Sequence, residues 1–453
     1  MKILLAQNML YVPALGGANK ANRCLLEGLA ERKHSCRALV PSTGSHGPGT
    51  RSQFLHELVT RGIGVSFSAT GVDVFNLKRV EVHAVTDSHR LHTHLVRQIR
   101  EFEPAWTLVT SQDPGQVLLA AALEANPRRV VYVVHATWDL PFGPWTVFSN
   151  PSITEKLRHA AGIITVSNYV REYIRRWSGL ESVVIPFPVY GLGPFPRFGN
   201  FDEGFVGMVN PCAVKGISVF LKVAQALPDF QFAAVPTWGT TSSDRDALER
   251  LPNVQLLKPV DNIDEFFART RVLLVPSLWD EAFGVIVVEA MLRGIPVLAS
   301  NVGGVPEAKL GIDYVLPVRP ISGYEERLDD KNNPVPIVPE QDFGPWLEVL
   351  RGLLSDRNRY ARLSVDSRDA ALAYISTLGC TPFEKFLESL APEDEAERGG
   401  ITPQKEEQNA GMDELNRLVD GLSPERRALL AQRLREKRTS PRGKDQMKEY
   451  RHE

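Results

Sequence analysis

Cysteine is scarce in this chain: Cys24, Cys36, Cys212 and Cys380 are the only four in 453 residues, and no two share a paired spacing. That excludes a disulfide framework and a cysteine-based zinc site, and it fits a reducing compartment. Charge of one sign is lacking too. Lys and Arg number 52 against 54 Asp and Glu, a net of −2, so no general nucleic-acid binder is expected. No apolar run approaches the length of a membrane span. The brief run Ile3–Ala6 is cut off by Gln7 and Asn8, which suits a first strand better than the core of a signal peptide. The expected compartment is the cytoplasm; peripheral membrane contact stays open but is not indicated. What the chain does have is a 43% hydrophobic fraction, enough for sizeable cores. Its length suits two ordinary domains plus an extension.

The first two-fifths alternate short apolar runs with amphipathic stretches. Ile3–Ala6, Arg37–Val40, Trp106–Thr110, Arg129–Val134, Gly162–Val166 and Val183–Pro186 read as strands. Asn19–Glu31, Leu91–Phe102 and Gly115–Ala125 read as helices between them. The Pro- and Gly-rich segment 185–196 reads as a linker. A second series follows, with strands at Gly204–Val209, Phe230–Val235, Val254–Leu257 and Val272–Val275 and a helix at Ile217–Leu227. The expectation is α/β: two Rossmann-like domains facing across a cleft, spanning 1–190 and 197–370. Pro320–Pro345 reads as an exposed insertion, and its Asp329-Asp330 pair as solvated loop rather than metal site. His89, His92 and His94 share no helix face and read as solvent-facing, so no metal is expected. Helices are expected at Trp346–Leu354, Asn358–Leu363 and Ser367–Leu390.

The chemistry concentrates in Val275-Pro-Ser-Leu-Trp-Asp-Glu-Ala-Phe-Gly-Val-Ile-Val-Val-Glu-Ala-Met291. A buried strand closes at Pro276, a loop carries Glu281, and a helix begins near Gly284 and carries Glu289. A helix start offers unpaired N–H groups and partial positive charge to a phosphate. Gly284 lets the backbone come close to a ligand. Eight residues of helix advance about 12 Å, so the two carboxylates bracket a space for a hexose, a diphosphate and a ribose. A carboxylate can take two neighbouring ribose hydroxyls at once. Another buried strand, Gly294–Ser300, and the loop Asn301-Val-Gly-Gly-Val-Pro-Glu307 follow. Upstream, Gly16-Gly17 sits between the first strand and first helix. Val209-Asn-Pro-Cys-Ala-Val-Lys-Gly216 holds the same place in the second series, with Lys215 able to neutralise a departing diphosphate. His135 ends the strand Val130–Val134 on the side of the proposed cleft.

These motifs, in this order, resemble the retaining glycosyltransferases of the GT-B fold, in particular glycosyltransferase family 4, over roughly residues 1–390. The resemblance implies transfer of a sugar from a nucleoside diphosphate sugar to an acceptor hydroxyl with retained configuration, in natural-product or glycan biosynthesis. It implies a donor site of Gly16, Gly17, Asn210, Lys215, Glu281, Phe283, Gly284, Val285 and Glu289. Glu281 would orient the hexose, Lys215 would face the diphosphate, and His135 would stand near the donor sugar. No cofactor or metal is implied. The family's last helix returns to the N-terminal domain, which here points to about 374–390. One departure is plain: Met208 stands where the family has Arg, leaving Asn210 to donate a neutral hydrogen bond.

Residues 391–453 read as a charged, disordered linker followed by an amphipathic helical tail, with an apolar stripe over 412–437 and Ser423-Pro424 as a helix start. Leu422–Lys437 resembles helical linker segments of nonribosomal peptide synthetases, which implies a protein partner on a peptide or polyketide assembly line. Two rivals stand beside the transferase. One is a non-catalytic GT-B-fold binding or scaffold protein recruiting partners through the tail, favoured by Met208 and opposed by the two glutamates. The other is a phosphorylase, for which no pyridoxal phosphate lysine is marked.

Overall fold

A strand buried on both faces is a continuous apolar run, and parallel neighbours need helical crossovers; both features repeat along this chain. The computed structural model describes residues 1–390 apart from 15, 45, 46, 70, 147, 148, 261 and 332. The linker and helical tail expected over 391–453 lie outside the described residues. The first sheet contains β1 (Lys2–Ala6), β2 (Ser35–Pro41), β3 (Val65–Ala69), β4 (Val72–Leu77), β5 (Val80–Val85), β6 (Trp106–Thr110), β7 (Val130–Val134), β8 (Gly162–Thr165) and β9 (Val183–Val184). Its order is β3-β4-β5-β2-β1-β6-β7-β8-β9. From β5 to β9 every pairing is parallel, and β3 and β4 add an antiparallel edge.

The second sheet contains β10 (Phe205–Val209), β11 (Phe232–Val235), β12 (Val254–Leu256), β13 (Thr270–Val275), β14 (Val297–Ser300) and β15 (Val315–Leu316). Its order is β12-β11-β10-β13-β14-β15, parallel throughout. In each sheet the order reverses beside the first strand, between β1 and β6 and between β10 and β13. Crossovers leave those neighbours in opposite directions, so a crevice opens past their carboxyl ends. No helix among the described residues is long and apolar enough to cross a membrane.

Several elements differ from the sequence expectations. The helix Arg51–Thr60 and the strands β3 to β5 carried no expectation: that helix buries only Phe54 and Leu58, β3 is exposed along its whole length, and the apolar runs of β4 and β5 are interrupted by Asp73, Glu81 and His83. The helices expected from 358 and from 367 are one helix, Arg357–Ser376. No Gly or Pro interrupts it, and Asp356 caps its start through the N–H of Arg359 at 3.0 Å. The chain then turns at Gly379 into the helix Thr381–Ser389. That last helix lies on the first-sheet half. Phe383 meets Phe187 with ring centroids 4.8 Å apart, and Glu384 accepts from Arg32 at 2.8 Å. The insertion holds a hairpin of β16 (Tyr324–Leu328) and β17 (Pro334–Pro336). Asp330 caps the helix Ser242–Glu249 through the N–H of Ser242 at 2.9 Å.

Candidate active site

The loops leaving β10 and β13 run side by side at the switch point of the second sheet. Gly216 makes this possible. Its φ is +81°, and a Cβ there would sit 1.9 Å from the carbonyl oxygen of Pro276. The N–H of Leu278 donates to Val214 O at 2.8 Å, closing the two loops on each other. Lys215 Nζ thereby reaches Glu281 Oε1, which also accepts from Ser277 Oγ at 2.7 Å. The side chains of Lys215 and Glu281 are only 20% and 14% exposed. Burial on its own would raise the Glu281 carboxyl. The charge of Lys215, with hydrogen bonds from Lys215 and Ser277, holds it below the usual carboxylate range instead. Glu281 is therefore an anion, suited to accept hydrogen bonds and unsuited to give a proton. Lys215 has three N–H donors and commits one of them here.

The loop Asn301–Glu307 fixes the backbone under Glu281. Gly304 N–H donates to Glu281 O at 2.7 Å. At Gly303 (φ +62°) a Cβ would meet Glu281 O at 2.5 Å and Glu281 N at 2.7 Å, so only glycine lets the loops touch. Glu307, at the loop's end, reaches the other half. It accepts from Asn168 N at 2.9 Å and Tyr169 N at 2.5 Å, capping the helix Asn168–Ser178. Ser167 Oγ donates to Ala282 O at 2.5 Å, and the Tyr169 hydroxyl donates to Asp280.

The helix Val285–Leu292 starts at Gly284 with no side-chain cap, so its first N–H groups have no intrahelical acceptor. The helix Gly17–Glu31 starts at Gly16, also uncapped. The two starts adjoin: a Cβ on Gly17 would lie 3.6 Å from Val285 Cγ2. Glu289, 13% exposed at its side chain, accepts from Lys20 Nζ at 2.7 Å across the two halves. Gly16, Gly17, Gly284, Val285 and Glu289 thus share one place. Phe283 turns its ring onto Tyr374, stacked at 5.9 Å.

Asn210 is 4% exposed with φ +57°. Its Oδ1 accepts from Gly239 N at 3.0 Å, while its Nδ2 is buried without a partner. Met208 is 1% exposed in the core of the second half and does not reach the cleft. Trp279 lies between Trp138 and Trp238, with ring centroids 5.9 and 6.0 Å away, and carries Lys215 Nζ 4.9 Å above its face.

His135 belongs to a buried network on the first-sheet side. Its Nε2 lies 2.6 Å from Asn22 Oδ1, and Asn22 Nδ2 donates to Gln7 Oε1 at 3.0 Å. Because the Asn22 amide nitrogen serves Gln7, its oxygen faces the ring, and His135 Nε2 carries the proton. Burial pushes the imidazole down to about 3, so it is neutral. No hydrogen bond joins it to Lys215, Glu281 or Glu289 among the described residues.

Nearby, Asp113 accepts from Leu118 N at 2.7 Å and Leu119 N at 3.0 Å and caps the helix Val117–Ala125. Burial, and then the charge of Asp113, push Asp139 up to about 8. The folded chain therefore holds a proton there that the unfolded chain releases near 4, and stability from this group falls as pH rises from about 4 to 8. His135 works the opposite way in the lower part of that window, and Asp113, itself pushed up to about 7 by burial, works the same way as Asp139, so a variant is needed to isolate Asp139. The difference in unfolding free energy between wild type and Asp139→Asn should shift by up to about 1.4 kcal/mol per pH unit between pH 5 and 8, in favour of the variant at high pH. Denaturant titrations that keep a constant difference would show that Asp139 ionises normally.

Sequence reasoning gave no role to Lys20, Ser277 or the three tryptophans. Ser277 has a local signal, one helical turn's spacing before Glu281. Lys20 has none, since its partner is 269 positions away.

Comparison with known proteins agrees with this geometry. The family model "Glycosyltransferase Family 4" matches residues 15–189, and "Glycosyl transferases group 1" matches 201–322. The chain is 28% identical over 181 residues to an uncharacterized glycosyltransferase of Methanocaldococcus jannaschii, covering 38% of this chain and 46% of that one. Across three such curated relatives the match spans 19% to 46% of their length. Among solved structures, sucrose-phosphate synthase of Thermosynechococcus elongatus superposes with a TM-score of 0.59 at 16% identity, over 86% of this chain and 97% of that one. HepE of Anabaena, in complex with UDP and glucose, gives 0.55 at 17% identity, over 86% and 100%. These two likenesses are in the fold.

Proposed function

The chain belongs with the GT-B glycosyltransferases of the family 4 kind, and from that premise we propose that it moves a sugar from a nucleoside diphosphate sugar to an acceptor hydroxyl with retained configuration. The observation that carries this reading is the Lys215–Glu281 pair, an ammonium and a low-pKa carboxylate at the switch point of the second sheet. In the scheme, Glu289 accepts from the ribose hydroxyls. The remaining N–H groups of Lys215 and the helix starts at Gly284 and Gly17 face the diphosphate. Glu281 accepts from a hydroxyl of the donor sugar and orients it. The bond from C1 to the phosphate oxygen breaks through an oxocarbenium-like state, and C1 bonds the acceptor oxygen on the same face. The acceptor's proton goes to the departing phosphate oxygen. Charge developing on that phosphate is stabilised by groups already in place, without reorganisation. Neutral His135 stands on the other wall, near the sugar.

HepE was solved with UDP and with UDP-glucose, and a starch synthase of the same fold with ADP, so uridine and adenosine diphosphates and their sugars are the first probes, with guanosine diphosphate beside them. Calorimetry should show binding of one of them to wild type and at least about tenfold weaker binding to Glu289→Ala, the cost of losing a charge-assisted hydroxyl contact. No binding of any of them by folded wild type would remove this donor class. With a turned-over donor, the anomeric configuration of the product read by NMR tests retention, and an inverted linkage would overturn it.

A further inference from the structure

Glu289 is a nearly buried carboxylate, 13% exposed, and two basic residues contact it among the described residues. Arg293 donates to the backbone oxygen of Glu289 at 3.1 Å, but its guanidinium is committed to Asp264 at 2.7 Å. Among the described residues the charged partner of the Glu289 carboxylate is Lys20, from the opposite half. Lys20 lies one turn into the helix Gly17–Glu31, whose start adjoins that of Val285–Leu292. Its side chain is 44% exposed against 13% for Glu289, so the lysine is on the open side of the pair and its flexible stem is free to move.

We propose that Lys20 is a donor-binding residue: it pairs with Glu289, yields that carboxylate to the ribose, and places its charge on the donor's diphosphate. This rests on the reading of Glu289 above. A carboxylate presents about four acceptor positions, and two ribose hydroxyls compete with the ammonium for them. The displaced ammonium has the diphosphate beside it, at the two helix starts. Donor binding then exchanges an ion pair between the halves for one to the ligand, which makes the contact between the halves depend on the donor.

Lys20→Met, Lys20→Arg and Glu289→Gln, titrated with UDP and with uridine at millimolar concentration, separate the possibilities (GDP with guanosine, or ADP with adenosine, where UDP gives no heat). In Lys20→Met the diphosphate should bind about tenfold more weakly, while the nucleoside binds as tightly as before or more tightly, its competitor gone. Lys20→Arg should restore the diphosphate to within a few-fold. Equal loss for both ligands, or no loss for either, overturns the proposal, since a lysine that merely braces the halves would not distinguish them. Glu289→Gln is the separate control and should weaken both ligands. If it weakens neither, the ribose reading fails and this proposal with it. If it weakens both while Lys20→Met changes nothing, Lys20 alone is excluded.

Discussion

Lys215→Met is expected to lower transfer by about 10²- to 10³-fold, the usual loss when one stabiliser of developing charge is removed, and to cost the fold about 3–5 kcal/mol. The two effects have different causes. The fold suffers because Glu281 keeps its charge in a site 14% exposed, with only neutral donors such as the hydroxyl of Ser277 left beside it among the described residues. Transfer suffers because the diphosphate loses a cation. A second substitution separates them. In Lys215→Met/Glu281→Leu no charge is left buried, and stability should return toward wild type while transfer stays lost. Urea unfolding and initial rates on the three variants decide this. An unchanged midpoint in the single variant would mean that solvent screens the pair. The pH dependence carries a sign. Glu281 has its carboxyl held below the ordinary value near 4.5, so the pair stabilises the fold above that pH. The contribution is lost as pH falls through the lowered value, and wild type and variant should converge in acid.

The strand, loop and helix that carry Glu281 and Glu289 were legible in the sequence because they are consecutive. The two-sheet plan was legible for the same reason: β1, β6, β7, β10 and β13 are apolar runs that need no partner to be recognised. What escaped depends on distant pairing. Nothing near Val65–Ala69 marks an exposed edge strand. Lys20 looks like any helical lysine until Glu289 is folded onto it. His135 was noticed at its strand end, but burial is what makes it neutral, and its proton is fixed by Asn22 and Gln7, which are brought to it by β1 and the following helix. Met208 looked like a lost Arg in the donor site. Its strand turns it into the core, and the unpartnered Nδ2 of Asn210 is the free donor beside it.

Gly216→Ala tests position apart from chemistry, because it leaves Lys215, Glu281 and Glu289 in the chain. The added methyl has nowhere to go: its carbon would lie 1.9 Å from a backbone oxygen and 2.7 Å from the carbonyl carbon of Pro276. Neither atom belongs to a flexible side chain, so a loop must move. The positive φ adds strain of about 1 kcal/mol for any residue with a Cβ. We expect a stability loss in the range of about 2–4 kcal/mol, typical of backbone conflicts in packed positions. A loop displaced by about 1 Å carries Lys215 with it, and misplacement on that scale lowers rate by about 10²-fold. Chemical rescue distinguishes the two kinds of damage. An added alkylammonium should restore part of the activity of Lys215→Ala, whose cavity accepts it, and should restore none to Gly216→Ala, whose own ammonium still fills the space in the wrong place. Rescue of both variants would mean that the displaced loop has carried the Lys215 ammonium out of the space, and that an untethered cation there serves as well. Rescue of neither would place the diphosphate's cation elsewhere, and Lys20 is then the next residue to test.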